Sequence, residues 1–510
     1  MNKLSPTQIE VMKHSFTAIP EQMGASLQRS AYSPNIKERK DESCAIFTSS
    51  QDMLAQAEHI PVHLGAMPSS LRVAVDECDV IENCQIILND PYAGGTHLPD
   101  LTVIKPVFME RELLGYVVNR AHHADIGGDV PGSMPGNSKT LDEEGIVISP
   151  QYLIKDDEFV EGTLKKIKEA RSPQERVGDI RAQVGANEMG AKEFIKSVEK
   201  FGPKVYEVFK DQILEYSETR TRKEIEKLPN GEYSASDFME WKRNVNLKVK
   251  VKIKDDEMIF DFSGTDEQVE GNINAPKPVT LSAVYYVLRC LLPDDIPINN
   301  GCYNPMKIIV PEGTLLNPKA AAAVSAGNVE TSQNVVELIL KALRDAIPNR
   351  ICAESQCTMN NLIIGNENFT YYETIGGGAG ASPKSDGESG VQVHMTNTKN
   401  TPIESLENNY PLIVRAYHLR KNSGGEGKHK GGEGIVKEIE VLESSSLSIQ
   451  SGRRTRGPEG IKGGKSGSRG NNILIRDGLK KKLEGKITRK LKMNDKIRIE
   501  TPGGGGWGKT

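Results

Sequence analysis

The glycines of this chain are bunched. There are 48 in 510 residues, with clusters at 376–378, 424–425, 431–432, 463–464 and 503–506, all in the C-terminal third. Glycine serves positions where the backbone needs a positive φ. Short strand-like segments separate the clusters, so the region from about residue 350 onward is read as β-rich, with strands alternating with tight glycine turns. Upstream the pattern differs. Ile9, Met12, Phe16, Ile19, Met23 and Leu27 recur at helical spacing behind Ser5-Pro6, an N-cap followed by a proline in the first turn. Segments 44–48, 85–89, 101–108 and 114–119 read as strands, and 60–75 reads as helical after Pro61. Residues 163–228 are charged and helically periodic. Segments 245–253 and 258–262 alternate like a hairpin turning at Asp255-Asp256, and 281–292 and 332–346 read as helices.

The chain is thus expected to be a mixed α/β (α+β), multi-domain protein. Its expected parts are an N-terminal metal-binding α/β region (1–160), a helical insert (161–230), a central α/β region (231–350) and a β-rich C-terminal region (351–510). No fixed internal repeat is evident.

Composition excludes several classes. Seven scattered cysteines, with no CxxC, match reduced cytosolic usage and not a disulfide framework. The N-terminal segment lacks the apolar core of a secretory signal. No apolar run approaches the ~18 residues of a membrane span. A cytoplasmic location is expected. Net charge is −4, but residues 452–492 hold fourteen Lys/Arg against three acids. No aromatic lies between Arg453 and Gly506, so platforms for stacking bases are missing. That stretch fits a nucleic-acid site less well than a solvated β face or a docking surface for an acidic partner subunit.

Five of the nine histidines fall between residues 59 and 123. In Asn89-Asp-Pro-Tyr-Ala-Gly-Gly-Thr-His-Leu-Pro-Asp100 a predicted strand ends, turns on two glycines, and presents His97 and Asp100. In Ala121-His-His-Ala-Asp-Ile-Gly-Gly128 a second strand end presents His122, His123 and Asp125. If the two strands neighbour each other, these side chains converge, and imidazole nitrogen with carboxylate oxygen suits Zn, Mn or Fe(II). His97, Asp100 and one of His122 and His123 are the candidate ligands. Adjacent histidines point apart in extended backbone, so the other faces substrate or a partner. Asp41, at the start of a strand, can add a carboxylate. His59 and His63 flank Pro61 and can ligate or merely orient ligands. Asp90 and Asp125 also suit turns. His14, His394, His418 and His429 are read as structural. The glycine runs at 376–382 and 424–434 lack the Walker lysine and the dinucleotide fingerprint. No nucleotide site is expected to be complete within this chain. A Gly-x-Ser-x-Gly elbow is absent.

Longer stretches carry a resemblance. They are Asn35-Ile-Lys-Glu-Arg-Lys-Asp41, Ala57-Glu-His-Ile-Pro-Val-His-Leu-Gly65, the two metal-type segments above, Gly327-Asn-Val-Glu-Thr-Ser332, His394-Met-Thr-Asn-Thr398 and Thr501-Pro-Gly-Gly-Gly-Gly-Trp-Gly508. In these the chain resembles the hydantoinase B family: N-methylhydantoinase B, the C-terminal half of 5-oxoprolinase, and related acetone carboxylase subunits. The resemblance implies a metal held by His97, Asp100 and His122, with Asp41 as fourth contact and His123 the alternative to His122. It implies a separate partner subunit of actin-like ATPase fold that uses ATP to phosphorylate a small cyclic-amide substrate, in a hetero-oligomer. A bound metal would then act as a Lewis acid and lower the pKa of water toward neutrality. His123, Asp125 or His63 would serve as general base or proton shuttle. Chain length favours the amidohydrolase branch. The alternatives are a metal-free scaffold for the ATPase and a ketone carboxylase subunit.

Overall fold

The computed structural model describes residues 3–57 and 59–509. Glu58, in the stretch from Ala57 to Gly65, lies outside them. The first helix, Pro6–Ser30, begins as its sequence dictates. The Ser5 hydroxyl accepts the Gln8 N–H, Gln8 returns to the Ser5 N–H, and Pro6 occupies the first turn.

A seven-stranded sheet follows. It comprises β1 (Glu42–Thr48), β2 (Met53–Gln56), β3 (Gln85–Leu88), β4 (Asp100–Met109), β5 (Glu112–His122), β6 (Gln151–Lys155) and β7 (Glu158–Phe159). The strand order is β2-β1-β5-β4-β3-β6-β7. All its pairs are antiparallel. β5 thus lies between β1 and β4, although 51 residues of chain separate β1 from β4 (residues 49–99).

One face of this sheet packs against helices. Met12, Phe16, Ile19 and Met23 meet Cys44, Ile46 and Val117 of the sheet. They also meet Phe194 and Val198 of the Pro173–Phe201 helix, and Tyr206, Phe209 and Ile213 of the Pro203–Ile225 helix. Phe16 is the hub. It stands edge-on to Phe194 at 5.8 Å and stacks on Phe209 at 5.2 Å. The other face joins a larger core through Ala45, Ile104 and Val118. That core extends into a four-stranded sheet of Met306–Ile309, Glu257–Asp261, Val245–Lys254 and Gly231–Met239. In Val245–Lys254 the odd-numbered residues, Val245 to Ile253, are buried, and every even-numbered one except the half-buried Lys252 is exposed. This is the period of two expected of a half-buried strand. The expected hairpin is present, with Glu257 opposite Lys254. The helix expected over 332–346 spans Ser332–Leu343 and is preceded by a π-helical turn, Gly327–Thr331.

The C-terminal part holds a four-stranded and a five-stranded sheet that share one core, including Leu362, Ile364, Ile439, Leu447, Leu474 and Ile497. The chain is thus mixed α/β and multi-domain, and its C-terminal part is β-rich. The reason for the glycine clusters differs from the expected one. Of the clustered glycines, only Gly463 has a positive φ. The rest lie where extended segments run against each other with no room for a side chain. A Cβ on Gly378 would stand within 2.1 Å of the Gly432 carbonyl oxygen and 2.2 Å of the Gly504 nitrogen. The segments hydrogen-bond directly: Gly378 N–H to Pro502 O at 3.0 Å, Gly504 N–H to Gly432 O at 2.9 Å, and Gly432 N–H to Ala379 O at 2.9 Å. Close backbone approach, not a left-handed conformation, selects glycine there.

Among the described residues no helix is long and apolar enough to cross a membrane. Phe16→Ala should cost about 3–5 kcal/mol, the usual penalty for truncating a buried aromatic. It would be read as a lowered denaturant midpoint of the transition that melts the N-terminal helices. An unchanged midpoint would show that this face does not hold them.

Candidate metal centre

Strand register assembles the site. In the β4–β5 pair Asp100 opposes His122 and Thr102 opposes Arg120. In the β1–β5 pair Ser43 opposes Arg120. The His122 N–H donates to the Asp41 carbonyl at 3.0 Å, which carries the pairing one residue further. Opposed residues on antiparallel strands share a face. Asp100 and His122 therefore form a row at the strand ends, with Ser43, Arg120 and Thr102 as the next row inward. His97 enters from the loop before β4. Asn89 pins that loop, its amide donating to the carbonyls of Leu98 at 2.8 Å and Ile146 at 3.0 Å. Gly94, at φ +84°, lies so close to Ser69 that a Cβ would stand 2.6 Å from its backbone. The Asp100 N–H closes onto the His97 carbonyl at 3.1 Å.

The result is a compact buried group. His97, Asp100 and His122 each offer a ligand atom within 4.8 Å of the others. Asp100 Oδ2 is 3.0 Å from His97 Nδ1 and 3.4 Å from His63 Nε2, and accepts the Thr96 hydroxyl at 2.5 Å. The Ser43 hydroxyl meets His63 Nδ1 at 2.8 Å. Four buried atoms have no hydrogen-bond partner: Nδ1 and Nε2 of His97, Oδ1 of Asp100 and Nε2 of His122. The His97–Asp100 contact is close without the alignment of a hydrogen bond. Buried polar atoms are normally satisfied; here each of the three residues keeps an unpartnered atom, so that one ring nitrogen of His97, Oδ1 of Asp100 and Nε2 of His122 can share one partner. Two imidazoles and a carboxylate match a divalent cation such as Zn, Mn or Fe.

The electrostatics agree. Burial works against the charge of Asp100, yet the His97 and His63 rings hold its carboxyl well below the usual carboxylate range. Burial, aided by His97, pushes His122 well below the ordinary imidazole value, so it stays neutral with a free lone pair. Asp41 is raised, chiefly by burial, although Arg39 opposes the shift from 3.7 Å. Its carboxyl lies within electrostatic reach of Asp100, His63 and His97 but outside the three-residue group.

Parity separates the adjacent histidines. His123 falls on the opposite side and meets Gln183 Oε1 of the Pro173–Phe201 helix at 2.9 Å. Gln183 in turn donates to the Leu101 carbonyl and to Asn119, both at 2.9 Å. His123 thus turns its Nε2 to the protein's own helix, while its Nδ1 is buried without a hydrogen-bond partner. Asp125 is occupied at both oxygens. Its oxygens accept the N–H groups of Gly127 and Gly132, each at 2.8 Å, and pair with Arg171 at 3.3 Å. Neither residue has a hydrogen bond or ion pair to the cluster. Of the three proposed proton carriers, only His63 is beside it.

Sequence reasoning missed the covering residues. Tyr372, from the C-terminal sheet, stacks on His122 at 4.6 Å and 14°, and the Arg39 guanidinium sits 4.5 Å from the same tyrosine ring. The Asn35 amide meets His122 Nδ1 at 3.2 Å, and Arg39 reaches Asn35 at 3.2 Å and the Thr374 hydroxyl at 2.7 Å. Asn35 and Arg39 stand in a stretch that carried the resemblance; nothing local marks Tyr372. A second metal-type group, Glu42, Cys44 and His59, lies on the opposite face of β1. Its atoms are partnered: Gln28 donates to Glu42 at 2.7 Å and the Cys44 N–H meets His59 at 3.2 Å.

His122→Ala is expected to lose stoichiometric divalent metal in elemental analysis of dialysed protein. His123→Ala should retain the metal and instead lose about 1–3 kcal/mol of stability by stranding Gln183. The reverse pattern would exchange the roles of the two residues.

Comparison with known proteins adds the family. The model for hydantoinase B/oxoprolinase matches residues 5–510. The chain is 41% identical to 5-oxoprolinase 1 of Arabidopsis thaliana, covering 99% of this chain and 42% of that one, so it spans about two fifths of that relative. It is 31% identical to a protein of a Pseudomonas species described as the putative B component of a D-/L-hydantoinase, covering 100% of this chain and 90% of the other. The crystal structure of ATP-dependent caprolactamase from Pseudomonas jessenii superposes with a TM-score of 0.93 at 25% identity, covering 100% and 92% of the two chains. Acetone carboxylase shares the fold, with a TM-score of 0.91 at 19% identity over 99% of this chain and 76% of that one. With its family model matched over nearly its full length and such relatives across it, the chain belongs to the hydantoinase B/oxoprolinase family.

Proposed function

We propose that this chain is the metal-bearing subunit of an ATP-dependent cyclic amidohydrolase. Its substrate is a small cyclic amide, of the hydantoin, 5-oxoproline or lactam type, whose carbonyl oxygen has been phosphorylated by a separate actin-like ATPase subunit. ATP is used by that partner and is not bound by this chain alone. The observation that carries the reading is the buried group of His97, Asp100 and His122, each with an unpartnered atom to offer, in a chain similar to proteins described as 5-oxoprolinase, a hydantoinase B component and caprolactamase.

An unstrained amide resists hydrolysis because resonance stabilises it, and phosphorylating its oxygen supplies a leaving group. His97, Asp100 and His122, with Asp41 as fourth contact, would hold a divalent cation. That cation supplies Lewis acidity and brings the pKa of water toward neutrality. The protein's own groups prepare the site. Thr96 and His63 engage the Oδ2 edge of Asp100, which leaves Oδ1 for the cation. Asn35 holds the other nitrogen of His122 and so fixes its ring. Tyr372 covers that ring, and the near-complete burial of His97 and Asp100 keeps bulk water out. His63, hydrogen-bonded to Ser43, is the candidate proton carrier.

The purified chain should contain about one divalent metal per polypeptide and open no ring by itself. Turnover, with substrate-dependent ADP release, should require both ATP and the ATPase partner. Asp100→Asn should remove activity by about 10²-fold or more while leaving ADP release by the partner measurable, because the partner's phosphorylation precedes the step it disables. Ring opening by the single chain without ATP would refute the proposal. Bicarbonate-dependent ATP use with a ketone would move the protein to the carboxylase branch.

A further inference from the structure

A separate cavity of about 220 Å³ lies beyond Asp125, between the start of the Pro173–Phe201 helix and the segments 368–370 and 409–410. Its polar wall holds the carboxylates of Asp125 and Glu175 together with donors that lack an acceptor. Arg176 is 1% exposed, and its Nε and Nη1 donate to nothing. Only its Nη2 is engaged, meeting Glu175 and standing 3.9 Å from Asp179 Oδ2. The Thr370 hydroxyl, also buried, has no partner. Arg171 Nε has no hydrogen-bond partner either, and the exposed Glu367 carboxylate is 3.8 Å from it. The 29-residue helix begins here without a capping side chain, since Ser172 makes no cap hydrogen bond. Its positive end lies at the cavity, with Glu175 as the acidic residue of the first turn.

Carboxylates stand in or beside the same space, and their state decides what can enter. Asp125 is neutralised by Arg171 and by two loop N–H groups. Glu175 is about one-third exposed at the side chain and occupies only the Nη2 of Arg176. Asp179, just behind the wall, gives Oδ1 to the N–H groups of Tyr32 and Ser33, at 2.7 and 3.0 Å, and so serves the backbone. What is left unpartnered is Nε and Nη1 of the buried Arg176 and the Thr370 hydroxyl, among the rings of Phe369 and Tyr410 and the amides of Asn368 and Asn409. Buried N–H groups without an acceptor, here Nε and Nη1 of Arg176, cost free energy, and an oxyanion that accepts from them removes that cost.

We propose that this cavity binds a small oxyanion, a carboxylate or phosphate group on a compact body, with Arg176 as its principal donor and Thr370 as a second. The occupant would bridge the N-terminal and C-terminal parts of the chain. The site is distinct from the metal centre and does not depend on the reading of that centre.

The test is calorimetric titration of the full-length protein with inorganic phosphate and, separately, with acetate. Saturable binding of at least one probe is expected. Arg176→Gln should weaken it about tenfold or more, as loss of a charge-assisted hydrogen bond implies. Thr370→Val should weaken it by a smaller factor, and both variants should keep the wild-type metal content. Should Arg176→Gln fail to fold, Thr370→Val, which preserves the shape of the wall, decides the matter alone. Absence of saturable binding by either probe, or binding that the folded variants leave unchanged, would overturn the proposal and leave a water-filled cavity.

Discussion

The register between β5 and its two neighbours is the constraint on which the site depends. Asp100 opposite His122, and Arg120 between Ser43 and Thr102, are consequences of backbone hydrogen bonding, not of side-chain attraction. A slip by one residue would exchange the faces of every side chain on the shifted strand. His122 would then point at the helices, His123 would take its place, and Val117 would leave the core built around Phe16. The hydrophobic demand of that core therefore fixes the polar arrangement on the other face. The site inherits its precision from apolar packing several residues away.

The buried charge near this row is balanced. Asp41 and Asp100 face the guanidiniums of Arg39 and Arg120, and His122 is kept neutral by burial. Isolated charges in such a place would be costly. Arg120 spends its donors on Thr102 and Ser70, both at 2.8 Å, and leaves one facing nothing. Arg39, Asp100 and Arg120 each sit in a hydrogen-bonded frame that fixes their direction. Arg39 and Tyr372 tie this frame to the C-terminal sheet, so the centre is completed only when distant parts of the chain have docked.

The glycine-rich segments give the docking region its form. Where Gly378, Gly432 and Gly504 meet, three stretches far apart in sequence approach to hydrogen-bonding distance through bare backbone. No side chain can intervene, and substitution by alanine at any of the three would press a methyl into a carbonyl or amide. These glycines look in sequence like turn signals, because a turn and a backbone contact both ask for a missing Cβ. Only the contact partner tells them apart.

The local chemistry was legible in the residues themselves. Capping at Ser5, the apolar stripe of the first helix, the alternation in Val245–Lys254 and the hairpin after it follow from periodicity. The pairing of His97 with Asp100, and the nomination of one histidine from the pair at 122 and 123, follow from ligand type at strand ends. Tertiary structure alone decided which imidazole faced the cluster, because that depends on parity relative to a strand reached only after a long loop. It also set His123 against Gln183 and Asp125 against the N–H groups of Gly127 and Gly132, and brought His63, Asn35, Arg39 and Tyr372 around the cluster. Spacing along a chain encodes the face of its own helix or strand. The face of the neighbour that meets it is set by long-range packing, which no local window of sequence contains.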